Sequence, residues 1–297
     1  MKKNFIEMLK ARWAEGKFTC VGLDIDDKMI PAFMKDDYPF LIDRHNAFNR
    51  EIINATKDIV CAYKPNSAFY EQYGIQGMHV LYRTFELIHE LAPNVPIIFD
   101  AKRADTGSTN EAYAVSAFDY LGADAITVHP YFGSEAMKPF LDRKDKGIIV
   151  LCRTSNPGAG EFQDLMVTEK MPQMGGGGLK IPLYGKIAEM VKFKWNYNGN
   201  CLLVVGATFP EEIKRVREIV GDMPILIPGI GAQGGDLEKT LLAGFDSKFE
   251  GVIINSSRGI IYASNGRDFA EAARRETLKL NQKITACRRV LHEKVFG

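Results

Sequence analysis

The string DAKRAD at positions 100–105 is the densest group of charges in this sequence that could do chemistry. It directly follows an apolar run, and if that run continues as an extended strand, Asp100 and Lys102 point to the same face. Asp105 would lie in the turn before the next helix, and Lys64, at the end of an earlier apolar run, would add a second ammonium. These charges are either a structural ion-pair network or a preorganised array that stabilises charge in a reaction.

A glycine-rich string, PGIGAQGG at 228–235, follows a later apolar run and contains the spacing GxGxxG. In dinucleotide-binding folds that spacing is found in the first strand-to-helix turn, with an acidic residue at the end of the next strand. Here it comes late, and the next apolar run ends in NSSRG. We therefore favour a phosphate site, formed by backbone N–H groups around Gly231, Gly234 and Ser257, over a dinucleotide site. Arg258 would add a bidentate contact.

The five histidines show no spacing typical of metal ligands, such as HxxxH or HExxH. His45, His79, His89 and His292 fall in helical patterns, and we expect them to be surface residues or residues with satisfied hydrogen bonds. His129 follows an apolar run and would line a site or donate a structural hydrogen bond. We predict no metal site.

Eight short apolar runs alternate with helical patterns along the chain. The predicted strands cover residues 18–23, 59–63, 97–99, 125–128, 148–151, 201–205, 225–227 and 252–254. Most runs are continuously apolar, as expected for parallel strands that are covered on both faces. The alternation predicts an α/β fold, a single-domain parallel (β/α)8 barrel over residues 1–297, with an open doubly wound sheet as the alternative.

One connection, from about residue 154 to 181, is unusually long and contains the strings NPGAG and GGGG. Such a stretch is typical of a mobile active-site lid or a disordered insertion. A long helix is predicted at the C-terminal end.

Active sites of barrels form at the C-terminal ends of the strands. The residues that follow the apolar runs are Asp24, Lys64, Asp100, Lys102, His129, Arg153, Thr154, Thr208, Gly229, Asn255 and Arg258. The opposite ends carry fewer reactive groups. This asymmetry predicts a site at one mouth of the barrel.

The composition excludes several classes of partner. The net charge is +1 and no run of Lys or Arg is present, so we expect neither nucleic acid nor an anionic membrane as a partner. No stretch approaches the roughly 18 apolar residues of a membrane span, and no secretory signal is expected. The five cysteines lack CxxC spacing and predict buried free thiols and a cytoplasmic location.

The chain resembles the orotidine 5′-phosphate decarboxylase family over nearly its whole length, and more closely the longer, type 2 group of that family. The resemblance is carried by FDAKRADTGST at 99–109, VGLD at 21–24, AYKPN at 62–66, CRTSN at 152–156, PGIGAQG at 228–234 and NSSR at 255–258. It implies a cofactor-free carboxy-lyase that converts orotidine 5′-monophosphate (OMP) to UMP and CO2, the last step of UMP biosynthesis.

The resemblance also implies roles for the charged residues. Lys102 is similar to the lysine that protonates C6 of the pyrimidine, with Asp100 beside the substrate carboxylate. Lys64 helps to orient the charged array. Asp105 and Thr109 match residues that reach into the site of the other subunit, which implies a homodimer.

The remaining matches concern substrate binding. The resemblance places Asp24 and Lys64 at the ribose, Thr154 or Ser155 at the pyrimidine amide, and Gln233 and Arg258 at the phosphate. Asn66 is also expected to bind the substrate.

Three other functions fit part of the pattern. Magnesium-dependent sugar-phosphate decarboxylases and aldolases share the DxKxxD string but place a metal-binding Glu where this chain has Lys64. A Schiff-base aldolase would need a lysine with a lowered pKa, which flanking carboxylates oppose. A non-catalytic phosphate-binding module would have no use for the charged array.

Overall fold

The computed structural model describes residues 4–169, 179–230 and 236–296. The strands are β1 (Thr19–Gly22), β2 (Ala62–Lys64), β3 (Ile98–Arg103), β4 (Ala125–Val128), β5 (Gly147–Arg153), β6 (Met166–Glu169), β7 (Leu179–Pro182), β8 (Cys201–Val205), β9 (Ile225–Pro228) and β10 (Val252–Ser256). The first helices are α1 (Phe5–Ala14), α2 (Phe33–Asp37), α3 (Leu41–Thr56), α4 (Ala68–Glu71), α5 (Gly74–Leu91), α6 (Gly107–Ala114) and α7 (Gly133–Leu141). They are followed by α8 (Gly160–Gln163), α9 (Leu183–Met190), α10 (Pro210–Val220), α11 (Leu237–Gly244), α12 (Arg258–Ile261) and α13 (Phe269–Phe296).

Eight of these strands form one parallel sheet in the order β2-β1-β10-β9-β8-β5-β4-β3. Its two edge strands meet through the isolated bridges Tyr63–Ile97 and Asn66–Asp100, and the Asp100 N–H donates to the Pro65 carbonyl at 3.0 Å. The sheet is thus a nearly closed barrel, which confirms the (β/α)8 prediction and excludes the open sheet. We call this β2–β3 junction the seam.

The strands of the barrel are largely buried on both faces, and the helices are buried on one face. Every residue of β8 is buried, as its continuous apolar run predicts. Helix α10 begins with Pro210 in its first turn and is followed by Gly221 at φ +60, both common at these positions. Its buried residues, Ile213, Val216 and Val220, share one face and pack on the barrel.

The long connection after β5 is more ordered than its sequence suggests. The structure has a 3₁₀ turn over Pro157–Ala159, the short helix α8, and an antiparallel hairpin in which Val167 pairs with Ile181. For these residues the alternative of a disordered insertion was wrong, whereas a role as a mobile active-site lid stays a prediction. The four glycines at 175–178 lie outside the described residues.

Helix α13 contacts the N-terminal end of β1 and the segment before β2 through Asn281. The Asn281 Oδ1 accepts from the Phe18 and Thr19 N–H groups at 3.2 and 3.1 Å and from the Thr19 hydroxyl at 2.8 Å. Its Nδ2 donates to the Ile59 carbonyl at 2.6 Å. One amide therefore satisfies backbone groups at the start of two strands.

The guanidinium of the half-buried Arg217 does the same beneath β9 and β10. Arg217 donates to the carbonyls of Gly244 at 2.6 Å, Gly251 at 3.0 Å and Met223 at 2.6 Å. Burial without a carboxylate in contact lowers the pKa of Arg217 to about 10, so it stays charged near neutral pH.

The cysteines are free thiols, as predicted, but their burial differs. Cys20, Cys61, Cys152 and Cys201 are buried, and Cys287 is half-buried. In the part of the chain that the structure describes, no helix is long and apolar enough to cross a membrane.

Candidate active site

A cavity of about 740 Å³ opens at the C-terminal ends of the barrel strands. The predicted site residues that line it are Asp24, Lys64, Asn66, Asp100, Lys102, Thr154, Ser155, Ser257 and Arg258. These residues come from β1, β2, β3, β5 and β10 or from the segments that follow them. The barrel therefore gathers side chains that are far apart in sequence at one mouth.

Other residues that follow the strands are not among the described residues that line this cavity. They include His129, Thr208 and Arg153, whose guanidinium binds Asp164 instead. The predicted phosphate residues Gly231, Gln233 and Gly234 lie outside the described residues.

Asp100 is the centre of the charged array. Its Oδ2 accepts from the Lys64 ammonium at 2.6 Å, and its Oδ1 accepts from the Lys102 ammonium at 2.7 Å. The Thr127 hydroxyl donates to Oδ1 at 2.8 Å. Asp100 and Lys64 are buried, whereas the Lys102 side chain is 48% exposed and faces the cavity.

This geometry sets the charge state of the buried pair. Burial disfavours the ionised form of Asp100, but the Lys64 and Lys102 ammonium groups outweigh it and hold the pKa of that carboxyl well below its usual range. Burial likewise disfavours the charged form of Lys64, but the carboxylates of Asp100 and Asp24 raise its pKa above the usual value. Both groups are therefore ionised at neutral pH.

Lys102 reaches Asp100 by a route that the sequence did not indicate. The extended strand expected through this residue was wrong, because Lys102 has φ +48 and the register of β3 shifts between Phe99 and Arg103. A non-glycine residue at positive φ is strained. The Lys102 N–H donates to the Thr127 hydroxyl at 3.0 Å, and this contact helps to hold the strained conformation.

Two buried oxygen atoms in the cavity wall lack a hydrogen-bond partner among the described residues. They are Asp24 Oδ1, which lies 4.0 Å from the Lys64 ammonium, and Ser257 Oγ. At Gly22 a Cβ would lie 2.8 Å from the Cβ of Ser257, so the absence of a side chain allows this close approach. Unpaired buried oxygens are costly, so both groups are held at the cavity wall at some expense of stability.

Within one chain, Asp105 stays apart from the array. Its N–H donates to Asn110 Oδ1 at 2.8 Å, and its Oδ1 accepts from the Thr106 N–H at 2.7 Å. Neither Asp105 nor Thr109 is among the described lining residues.

Sequence reasoning missed several lining residues. Thr127 is a polar residue inside the buried run of β4, a signal that could have been used. Tyr262, on the segment after α12, accepts from the Asp26 N–H at 2.6 Å and so holds the loop after β1. Gln163 comes from the insertion, and no local pattern marks it.

His45 corrects the expectation for the helical histidines. It is fully buried, its Nε2 lies 3.0 Å from Asp27 Oδ1, and its Nδ1 has no partner among the described residues. Burial lowers its pKa. Across the described ranges, no group of three or more His, Cys, Asp or Glu side chains converges as a metal site would require.

The fold and the site together define a (β/α)8-barrel protein whose mouth carries a buried lysine–aspartate array beside an open cavity. Residues 18–273 match the model of the orotidine 5′-phosphate decarboxylase / HUMPS family. The chain therefore belongs to this family, which confirms the resemblance stated from the sequence.

Individual relatives match nearly the whole length of the chain. It is 47% identical to an orotidine 5′-phosphate decarboxylase of Cupriavidus metallidurans, covering 96% of this chain and 98% of the relative. Among solved structures, the Leishmania donovani OMP decarboxylase is 35% identical with a TM-score of 0.78, over 96% of this chain and 98% of that one. The Leishmania donovani UMP synthase is 36% identical with a TM-score of 0.83, over 96% of this chain and 57% of that one.

Proposed function

We propose that this protein is a carboxy-lyase that converts OMP to UMP and CO2. The observation that carries the proposal is the ionised Asp100 held between Lys64 and Lys102 at the wall of a cavity large enough for a nucleotide. The family and its named members support the same activity.

The reaction needs a positioned cation. When the bond between C6 and the carboxylate breaks, its electron pair stays on C6 as a vinylic carbanion that the ring delocalises poorly. The Lys102 ammonium stabilises this charge as it develops. Lys102 then donates a proton to C6, and the electrons of the broken N–H bond return to its nitrogen.

Asp100 acts in two ways. It keeps Lys102 aimed at the cavity through the 2.7 Å ion pair. As a buried carboxylate held ionised, it would also repel the substrate carboxylate and so favour the loss of CO2. Lys64 keeps Asp100 charged at this position.

The rest of the cavity fits a ribose phosphate. Asp24, Asn66 and Lys64 line the cavity together and would bind the ribose hydroxyls. Arg258 and Ser257 also line the cavity and would bind the phosphate together with Gln233, Gly231 and Gly234. Binding energy at this distant group can stabilise the arrangement at C6.

The pyrimidine amide has two candidate partners. The Thr154 hydroxyl donates to Asn156 Oδ1 at 2.7 Å and is therefore engaged within the protein. Ser155 Oγ has no such partner among the described residues, and Ser155 packs on Gly206, where a Cβ would lie 2.7 Å away. Ser155 is the better candidate.

The proposal includes a homodimer, because Asp105 does not reach the array of its own chain. In the dimer, Asp105 and Thr109 of one subunit would complete the cavity of the other. Assignment to the type 2 group of the family and a cytoplasmic location remain predictions from the sequence.

The experiment treats the purified protein with a chelator, adds OMP and follows the ultraviolet absorbance, with UMP identified by mass. Metal-independent conversion that is lost in Lys102→Ala and retained in the matched surface control Lys10→Ala is the expected result. Full turnover by Lys102→Ala would overturn the mechanism. No conversion of OMP, with magnesium-dependent activity on a sugar phosphate, would overturn the proposed function.

A further inference from the structure

Two tyrosine hydroxyls hold the loop after β1 on either side of Asp24. Residues 23–26 have no regular secondary structure, so their backbone groups need partners from elsewhere. The Tyr70 hydroxyl donates to the Leu23 carbonyl at 2.8 Å. The Asp26 N–H donates to the Tyr262 hydroxyl at 2.6 Å. The loop is therefore fastened by side chains that come from two distant parts of the chain.

These contacts limit the conformations that Asp24 can adopt. A carbonyl and the following N–H belong to one rigid peptide plane, so the Tyr70 hydroxyl holds the plane that precedes Asp24. The Tyr262 hydroxyl holds the plane that joins Ile25 to Asp26, and the Ile25 side chain is fully buried. With the backbone held on both sides, the Asp24 side chain stays at the cavity, which it lines.

The Tyr262 side chain is itself supported from behind. Its ring stacks on that of Phe48 with 5.6 Å between centroids, and Phe48 stacks on Phe269 at 5.2 Å. Its backbone N–H donates to the Arg258 carbonyl at 3.3 Å, so Tyr262 lies one helical turn after Arg258. The hydroxyl is thus presented to the loop after β1 by a packed aromatic stack and a helical turn.

Tyr262 differs from Tyr70 in two respects. Tyr70 is fully buried and is not among the described residues that line the cavity, whereas Tyr262 is half-buried and lines it. The Tyr262 hydroxyl also lies 3.4 Å from the Asp24 carbonyl and 3.5 Å from the Asp26 carbonyl. One hydroxyl at the cavity therefore contacts the backbone of Asp24 itself and of the residue two positions later.

We propose that Tyr262 is a positioning residue that holds the loop after β1 so that the Asp24 carboxylate can bind the ribose hydroxyls of the ligand. This inference rests on the proposed function, because that function places a ribonucleotide in the cavity with its ribose at Asp24. Tyr262 acts through Asp24 and does not itself bind the ligand.

The test measures calorimetric binding of UMP and of 2′,3′-dideoxy-UMP, which lacks both ribose hydroxyls, to the full-length protein. The variants are Tyr262→Phe, Asp24→Ala and the combination of the two. Tyr262→Phe removes the hydroxyl and keeps the ring that stacks on Phe48. Thermal unfolding shows whether each variant folds, and Asp24→Asn replaces Asp24→Ala if the latter does not.

The matched control is Tyr197→Phe. It also removes a phenol hydroxyl with a short hydrogen bond, in this case to Asp142 Oδ1 at 2.6 Å. Tyr197 precedes β8 and is not among the described residues that line the cavity. Tyr197→Phe should therefore bind both nucleotides as the wild type does.

We expect Tyr262→Phe to weaken UMP by about 5-fold, the contribution of one hydrogen bond, and to leave 2′,3′-dideoxy-UMP within about twofold of the wild type. In the Asp24→Ala background, Tyr262→Phe should have no further effect on UMP, because the group that it positions is absent.

Three results would overturn the inference. An equal loss for both nucleotides would mean that Tyr262 only shapes the mouth of the barrel. An undiminished loss in the Asp24→Ala background would mean that Tyr262 binds the ligand directly. Unchanged binding of both nucleotides by Tyr262→Phe would mean that Asp24 does not depend on this hydroxyl.

The proposed function is tested separately by OMP turnover of the wild type. If the wild type decarboxylates OMP and one of these three results is found, only the role of Tyr262 fails. If the wild type neither decarboxylates OMP nor binds UMP, both proposals fail.

Discussion

The polar groups described above at the base and at the mouth of the barrel have different roles. At the base, Asn281 and Arg217 satisfy backbone groups around the starts of four strands. At the mouth, Asp24 and Ser257 keep buried oxygens without a partner among the described residues, and Lys102 holds a strained backbone. The base therefore contributes stability to the fold. The mouth loses some stability because its groups are held in positions that suit a ligand.

The largest effect expected from this comparison is at the mouth. Lys102→Ala should lower kcat for OMP by at least about 10⁴-fold, because it removes both the stabilising cation and the proton donor. The unfolding temperature should stay close to that of the wild type, since the Lys102 side chain is half-exposed. Stopped-flow absorbance and a thermal scan measure the two quantities. A large loss of stability would mean that Lys102 also stabilises the fold.

The converse change is at the base. Asn281→Leu should lower the free energy of unfolding by about 3 kcal/mol, because it leaves buried backbone groups of Phe18, Thr19 and Ile59 unpaired. Below the unfolding temperature, kcat/KM should match the wild type. Urea unfolding and steady-state kinetics provide the test, with Asn54→Ala on the exposed face of α3 as the control. If kcat/KM fell together with the free energy of unfolding, stability at the base and activity at the mouth would not be independent of each other.

A smaller effect on stability measures the backbone strain at Lys102. Lys102→Gly should be more stable than Lys102→Ala by about 1 kcal/mol, because glycine adopts φ +48 without steric cost and both variants lack the ammonium. Urea midpoints of the two inactive proteins measure this difference. At an ordinary position in a helix or strand, a variant with glycine is less stable than one with alanine. Equal or reversed stabilities of the two Lys102 variants would therefore show that the conformation at this position is not strained.

The smallest effect expected is a dependence on pH. The pKa of Asp100 is lowered, so its ion pairs stabilise the fold above the usual carboxyl pKa and lose that contribution as the pH falls towards the folded-state value. The stability difference between wild type and Asp100→Asn should therefore be constant from pH 7 to 5 and shrink below about pH 4.

The base provides the matched comparison. Asn281 and its partners contain no titratable group, so the difference between wild type and Asn281→Leu should not change over the same pH range. Urea unfolding at pH 3, 4, 5 and 7 tests both statements. A change for Asp100→Asn between pH 7 and 5 would place the titration of Asp100 in that interval.

Much of the barrel could be predicted because its signals are local. Continuous apolar runs mark the eight parallel strands, and β4 and β8 begin and end where the sequence places them. The hairpin β6–β7 gave no such signal, since Met166 is exposed and its partner Pro182 is distant in sequence.

The site was predictable in composition but not in geometry. The types and order of Asp100 and Lys102 indicated an array, yet the positive φ of Lys102 depends on contacts with Thr127 on the neighbouring strand. Gln163 was missed for the same reason, since its place is set by Thr154 after the chain has folded. Local sequence patterns do not contain such tertiary contacts.

The seam between β2 and β3 has a consequence for how this protein could evolve. The two strands share few backbone bridges there, and the Lys64–Asp100 ion pair joins their ends across the same junction. Lys64 therefore helps to hold the barrel closed and is also part of the site. A lineage that exchanged Lys64 for a metal-binding carboxylate would place that carboxylate next to Asp100 at the junction. The bound metal would then have to hold the two strand ends together in place of the ion pair. We expect such a change of chemistry to require several coordinated substitutions rather than one.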